Sequence, residues 1–252
     1  MLPLLAWLLF SSTPLQDAGP PRLTVSAAVS LTEAIEEISR AYTAAGHGRV
    51  VMNFAASNVL ARQIANGAPV DVFISADGAQ MAVVEKAGLT APGSIVQLLG
   101  NRLAIVVRKD RAGPLSSAAS LASSDVRRVA IGDPDAVPAG VYAKQYLERI
   151  GLWTALQHKM VPSASVRAAL AAVQHGGADA GIVYVTDARV SAAVRVAAVI
   201  EGREAPEIVY PAAVISTSAR KDAARAFLEF LQTAEAGRIF RKFGFEPRAQ
   251  GQ

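Results

Sequence analysis

Short uninterrupted apolar runs alternate along the chain with stretches whose apolar residues recur at helical spacing. Residues 23–26, 50–54 and 70–75 carry the runs expected of buried strands. Residues 31–45 set Leu31, Ala34, Ile35, Ile38 and Tyr42 on one face of a helix, and residues 58–66 predict another. A third, over 77–86, stops at Gly88. After "LLGN" at 98–101 a fresh series begins with "RLAIVVRK", then "RVAIGD", then a helix over 139–150 carrying Ala143, Tyr146, Leu147 and Ile150 on one side. "KMVPS" leads to a helix with Val166, Ala169, Leu170 and Val173 in register, ended by Gly176 and Gly177. "ADAGIVYV" reads as a buried strand, the run "EIVYPAAVIS" follows, and helices over 218–242 come after it.

This alternation predicts an α/β fold with largely parallel sheets. Two successive series predict two facing lobes, each a mainly parallel sheet flanked by helices, with a ligand cleft between them at the edge where strands end and helices begin. Residues 22–100 together with 214–252 are expected in one lobe and 101–213 in the other. The chain would cross near Gly100 and return near 210–214.

Composition fits a folded globule: of 252 residues, 52% are hydrophobic and 18% charged, with no linker or repeat. The net charge of +4 and pI near 9.6 come from scattered cations, densest in "RKDR" at 108–111, so no nucleic-acid stripe is expected. The apolar run at 2–10 is too short to cross a bilayer and suits a secretory signal over 1–19, although no Lys or Arg precedes it. There is no cysteine, which excludes disulfides and a thioether-linked lipid. A soluble periplasmic protein is the expectation.

Signs of catalysis are missing. His47, His158 and His175 lie in separate segments, without a carboxylate or second histidine at ligand spacing. No Gly-x-Ser-x-Gly elbow, P-loop or dinucleotide fingerprint occurs. "HGGADAG" at His175 reads as a glycine helix stop rather than an oxyanion loop. A periplasmic ester or phosphate hydrolase is therefore the weaker alternative to a binding protein.

Anion binding needs less, because helix N-termini present free N–H groups and a positive dipole end. Ser30 opens a Ser-x-x-Glu capping box with Glu33. Ser57, Pro138-Ala139-Gly140 and Ser165-Val166 mark further helix starts, giving two in each proposed lobe. The nearest cations, Arg62 and Arg167, come later in their helices and could equally face solvent. Neutral donors suffice for a dianion, since each hydrogen bond to a charged group contributes roughly 1.5 to 3 kcal/mol.

With these residues in view the chain resembles the periplasmic molybdate-binding proteins of ABC importers, among the type II solute-binding proteins. The likeness runs from Leu23 to about Pro247 and rests on "AAVSLTEA", "NFAASNVLARQIANGAPVDVFISAD", "IGDPDAVPAGVYAKQYLERIGLW", "SVRAALAAV" and "GIVYVTDA", in order. The tail "FLEFLQTAEAGRIFRKFGF" is shared more widely among solute-binding proteins. The resemblance implies a two-lobed, monomeric, non-enzymatic receptor that binds molybdate or tungstate without a cofactor or bare metal cation and delivers it to a membrane permease. It further implies an oxyanion held by the hydroxyls of Ser30 and Ser57, the backbone at Ala76, Ala139 and Val166, and the hydroxyl of Tyr184. Ala56 stands where relatives often carry another serine, removing an auxiliary contact. A sulfate or phosphate receptor is the alternative within the class, whereas a ferric receptor would call for an adjacent tyrosine pair that the sequence lacks. Asp71, Asp77, Asp133 and Asp187 are expected to cap and brace turns, because a carboxylate aimed at a dianion repels it.

Overall fold

The computed structural model describes residues 22–111, 113 and 115–248; the expected signal over 1–19 lies outside the described residues. Strand β1 (Arg22–Ala28) runs through a single 3-10 turn (Val29–Leu31) into α1 (Thr32–Ala44). The apolar face read from the sequence is the buried one: Leu31, Ala34, Ile35, Ile38 and Tyr42 all enter the core. Then come β2 (Arg49–Ala55), α2 (Ser57–Ala65), β3 (Val72–Ile74), α3 (Gly78–Lys86) and β4 (Val96–Asn101).

Arg102 alone separates β4 from β5 (Leu103–Arg108), the first strand of a second sheet. That sheet continues with β6 (Val129–Gly132), α4 (Pro138–Arg149), α5 (Trp153–Leu156), β7 (Met160–Ser163), α6 (Val166–Gln174), β8 (Ala180–Tyr184), α7 (Val185–Arg189) and β9 (Val194–Val199). β10 (Ile208–Val214) returns to the first sheet, followed by α8 (Lys221–Phe230), α9 (Ala234–Lys242) and β11 (Glu246–Pro247).

The first sheet has the order β11-β4-β10-β3-β1-β2 and the second β7-β6-β8-β5-β9. The α/β architecture with helices around two sheets is the expected one, but the sheets are mixed rather than mainly parallel. β1 pairs parallel with β2 and β3, and β6 with β7 and β8. β10 runs antiparallel to β3 and β4, and β5 antiparallel to β8 and β9. Parallel neighbours need a crossover of a dozen or so residues, usually a helix, whereas strands that carry the chain directly between sheets have none. Apolar runs report burial and not direction, so this was invisible to periodicity. Because β10 belongs to the first sheet from Ile208 onward, the chain returns between Val199 and Ile208, ahead of the 210–214 expected.

The parallel strands decide where chemistry can occur. β1, β2, β3, β6, β7 and β8 all lead from their carboxyl ends towards a helix start, which gathers those starts at one edge of each sheet.

Candidate functional site

A small cavity, with an accessible volume of about 10 Å³, lies where the two sets of helix starts meet. From the first half it is lined by residues of the 28–30, 56–57 and 76 segments, and from the second by Val137, Pro138, Ala139, Val166 and Tyr184. Ser30, Ser57, Ala76, Ala139, Val166 and Tyr184 are therefore brought together from six segments, each of them buried.

Ser30 does not play the capping role its sequence context suggests. It sits inside the 3-10 turn, the N-cap of α1 is Leu31, and no side chain caps that helix. Thr32 Oγ1 instead donates to the Val29 carbonyl at 2.7 Å, and Glu33 turns away to Arg167. The extra turn moves the N-cap one residue downstream, from Ser30 to Leu31. Ser30 Oγ is left 3.0 Å from the hydroxyl of Tyr210, which is completely buried on β10.

Ser57 is the first residue of α2, behind an Ala56 N-cap that has no oxygen to offer. Its Oγ accepts the Ala76 N–H at 2.9 Å, so two of the expected site groups are already joined. A hydroxyl that accepts from an amide keeps its own proton for another partner. Beside it, Asp77 caps α3 by accepting the Gln80 N–H at 2.8 Å.

The second half supplies backbone. α4 opens on Pro138 at its first turn, a position where the missing N–H costs nothing, and the Ala139 N–H that follows lies in the unpaired first turn. The helix end is pressed against β6: a Cβ on Gly140 would stand 2.0 Å from the Gly132 carbonyl oxygen, so only glycine permits this approach. In α6 the Ser165 hydroxyl caps by accepting the Ala168 N–H at 3.1 Å, which leaves the Val166 N–H to the cavity.

Tyr184 ends β8 and is fully buried, yet among the described residues its hydroxyl has no hydrogen-bond partner. Burial, reinforced by Tyr210, Tyr142, Asp77 and Asp187 nearby, drives its pKa well above the ordinary phenol value, so it stays a neutral donor. An orphaned O–H at this depth is costly unless something that is not protein accepts from it.

Arg167 follows the cavity-lining Val166 in α6. Its guanidinium reaches from α6 to Glu33 on α1 at 2.9 and 2.7 Å, and makes an ion pair with Asp187 on α7. Partial burial opposes the charges of this group, but the Arg167 contact holds Glu33 below the usual carboxylate range, and both carboxylates together hold Arg167 above its own. Asp187 is completely buried, and that burial, against the pull of Arg167, lifts its pKa to about 6. The other aspartates brace turns: Asp71 accepts from Thr24 N–H and Ser218 Oγ, and Asp133 from the Asp135 N–H.

Tyr210, Asn101 and the bridging role of Arg167 were not legible in the sequence. Asn101 Nδ2 donates to Tyr210 at 3.2 Å and to Thr186 Oγ1 at 2.9 Å, joining β4, β10 and α7. Buried polar residues inside apolar runs, such as Tyr210 in "EIVYPAAVIS", were the available signal. Among the described residues no cluster of His, Asp or Glu could hold a metal ion, and no helix is long and apolar enough to cross a membrane.

Two α/β halves meeting over a small, donor-lined cavity define a solute-binding receptor. Residues 23–246 match the bacterial extracellular solute-binding protein family, and the chain belongs to it. The molybdate-binding protein ModA of Escherichia coli (strain K12) is 40% identical over 239 residues, covering 92% of this chain and 90% of that protein. ModA of Haemophilus influenzae is 32% identical, covering 92% of each. Among solved structures, the Azotobacter vinelandii periplasmic molybdate-binding protein superposes with a TM-score of 0.81 at 25% identity, over 91% of this chain and all of that one.

Proposed function

We propose that this chain is the periplasmic receptor of an ABC importer for molybdate, with tungstate as a second ligand, held by Ser30, Ser57, Ala76, Ala139, Val166 and Tyr184 and passed to a membrane permease. The observation that carries this reading is the Tyr184 hydroxyl, buried and unpartnered in a cavity ringed by other donors. The relatives named above, at up to 40% identity, support the choice of ion.

The ligand is a dianion with four oxygens, each able to accept more than one hydrogen bond. Ser30 and Ser57 donate from the first half, and the Ala139 and Val166 N–H groups and the Tyr184 hydroxyl from the second. The Ala76 N–H acts through Ser57. Only when the halves are together are all donors satisfied, so binding favours the joined state by its differential affinity for it. Among the described residues no carboxylate lines the cavity, and Arg167 is neutralised by Glu33 and Asp187. Selectivity then comes from placed dipoles rather than net charge. The protein acts as a monomer, needs no cofactor and performs no catalysis.

Calorimetry of the purified protein with molybdate, tungstate, sulfate and phosphate tests this. Molybdate and tungstate should bind tightly and sulfate and phosphate weakly or not at all. Tight sulfate binding without molybdate binding would make it a sulfate receptor, and turnover of a chromogenic ester would return it to the hydrolases.

A further inference from the structure

Whether a serine hydroxyl meets an anion as a donor depends on what occupies its lone pairs. For Ser57 the answer is local, because the Ala76 amide can only donate. For Ser30 it is not, since its neighbour is the Tyr210 hydroxyl, which can give or take a proton.

We propose that Asn101, acting through Tyr210, orients the Ser30 hydroxyl so that its proton points to the bound ion, making Asn101 and Tyr210 positioning residues for oxyanion selectivity. This rests on the reading of Ser30 as a ligand contact. The direction follows from the amide. Asn101 Oδ1 accepts the Arg102 N–H at 2.8 Å, which fixes which end of the amide is NH2, since a flipped amide would set two donors against each other. The NH2 then donates to Thr186 Oγ1 and to the Tyr210 hydroxyl. With a lone pair of Tyr210 filled, its own proton goes to Ser30 Oγ. The reverse polarity, Ser30 donating to Tyr210, would leave the Tyr210 proton buried without an acceptor among the described residues, and that is costly. Ser30 accepts, and its proton is left for the cavity that it lines.

The consequence is chemical. A fully deprotonated oxyanion such as molybdate offers only acceptors and matches the relay. Hydrogen phosphate carries an O–H that needs an acceptor, and both serines present a proton to the ligand with one lone pair already filled, which makes them poorer acceptors. Asn101 stands at the end of β4, where the chain leaves the first sheet, and its Thr186 contact reaches the second half. The crossing point and the ligand hydroxyl are thus parts of one chain of hydrogen bonds.

Two measurements on the full chain test the relay. The first is a cycle of molybdate affinities for wild type, Tyr210→Phe, Ser30→Ala and the double variant. Tyr210→Phe should weaken binding about 3-fold to 10-fold in the Ser30 protein and cost nothing further in Ser30→Ala, where no hydroxyl remains to be oriented. The second is the ratio of molybdate to phosphate affinity at mildly alkaline pH, where phosphate is mainly its singly protonated dianion. Asn101→Asp replaces a donor by an acceptor and reverses the chain, so Ser30 can then accept from hydrogen phosphate. Its new charge weakens both dianions alike, and the ratio should narrow by about 10-fold. Additive losses in the cycle, or a ratio in Asn101→Asp equal to wild type, overturn the relay. If Asn101→Asp does not fold, the cycle alone decides. Failure of wild type to bind molybdate sinks the proposed function instead, and a loss in Ser30→Ala with additive Tyr210→Phe sinks only the relay.

Discussion

The two halves of the cavity reach the same chemistry by different means. The first half uses hydroxyls, Ser30 and Ser57, whose direction is undetermined until a neighbour fills their lone pairs. The second uses backbone N–H groups at the starts of α4 and α6, which can only donate, and adds one hydroxyl, Tyr184, left without any partner. A hydroxyl site therefore needs a supporting donor behind it: the Ala76 N–H for Ser57 and Tyr210 for Ser30. A backbone site needs the helix end held in place, which the contact of Gly140 with Gly132 provides.

The largest expected effect falls on the backbone half. Gly140→Ala would drive a methyl into the Gly132 carbonyl, 2.0 Å away, and neither partner is a side chain that can swing aside. We expect a loss of about 3 kcal/mol or more in stability by denaturant unfolding, and loss of molybdate binding. Stability near wild type would mean that α4 can lift from β6 at little cost.

Next is the contrast between buried carboxylates. Asp71, in the first half, receives two hydrogen bonds, whereas Asp187 is completely buried against Arg167 with a pKa raised from 3.8 to about 6. A raised folded-state pKa means that the stability contributed by this group is present below about pH 4 and lost as pH rises through about 6. Wild type should therefore gain on Asp187→Asn by up to about 3 kcal/mol as pH falls across that window. A difference that stays flat between those pH values would show that Arg167 fully offsets burial.

The hydroxyls come third. Ser57→Ala and Tyr184→Phe should each weaken molybdate binding by roughly 1.5 to 3 kcal/mol, about 10-fold to 150-fold. The unliganded proteins should differ. Ser57→Ala strands the Ala76 N–H and lowers stability by about 1 to 3 kcal/mol, whereas Tyr184→Phe removes an unsatisfied hydroxyl and leaves stability equal or higher. Paired calorimetry and thermal unfolding separate the two, and equal stability losses would break the comparison.

The smallest effect is expected at the bridge between the halves. The Glu33 side chain is 36% exposed, so solvent screens its pair with Arg167. Glu33→Gln should weaken binding by about 0.5 to 1 kcal/mol and flatten its dependence on salt. An unchanged salt dependence would mean that the pair contributes nothing to holding the halves together.

Much of this fold was legible. The apolar face of α1, the start of α4 at Pro138 and the stop after α6, where Gly176 takes φ +75, all follow from local spacing and backbone chemistry. The Ser30 box misled because Ser-x-x-Glu is a local pattern, and a 3-10 turn with a distant tyrosine displaced it. The sequence left open whether Arg167 faces solvent, because its partner Glu33 is 134 residues away and Asp187 stands on another element.

By itself the sequence determined which segments are strands and helices, and that small residues and hydroxyls stand where strands give way to helices. Those are properties of neighbouring residues, set by periodicity and by the free N–H groups of a helix start. Only the tertiary structure decided the mixed direction of the sheets, the meeting of six segments around one cavity, and the partner of each hydroxyl. Ser30 and Tyr210 are 180 residues apart, and a hydroxyl carries no intrinsic direction. It becomes donor or acceptor according to what folding brings beside it.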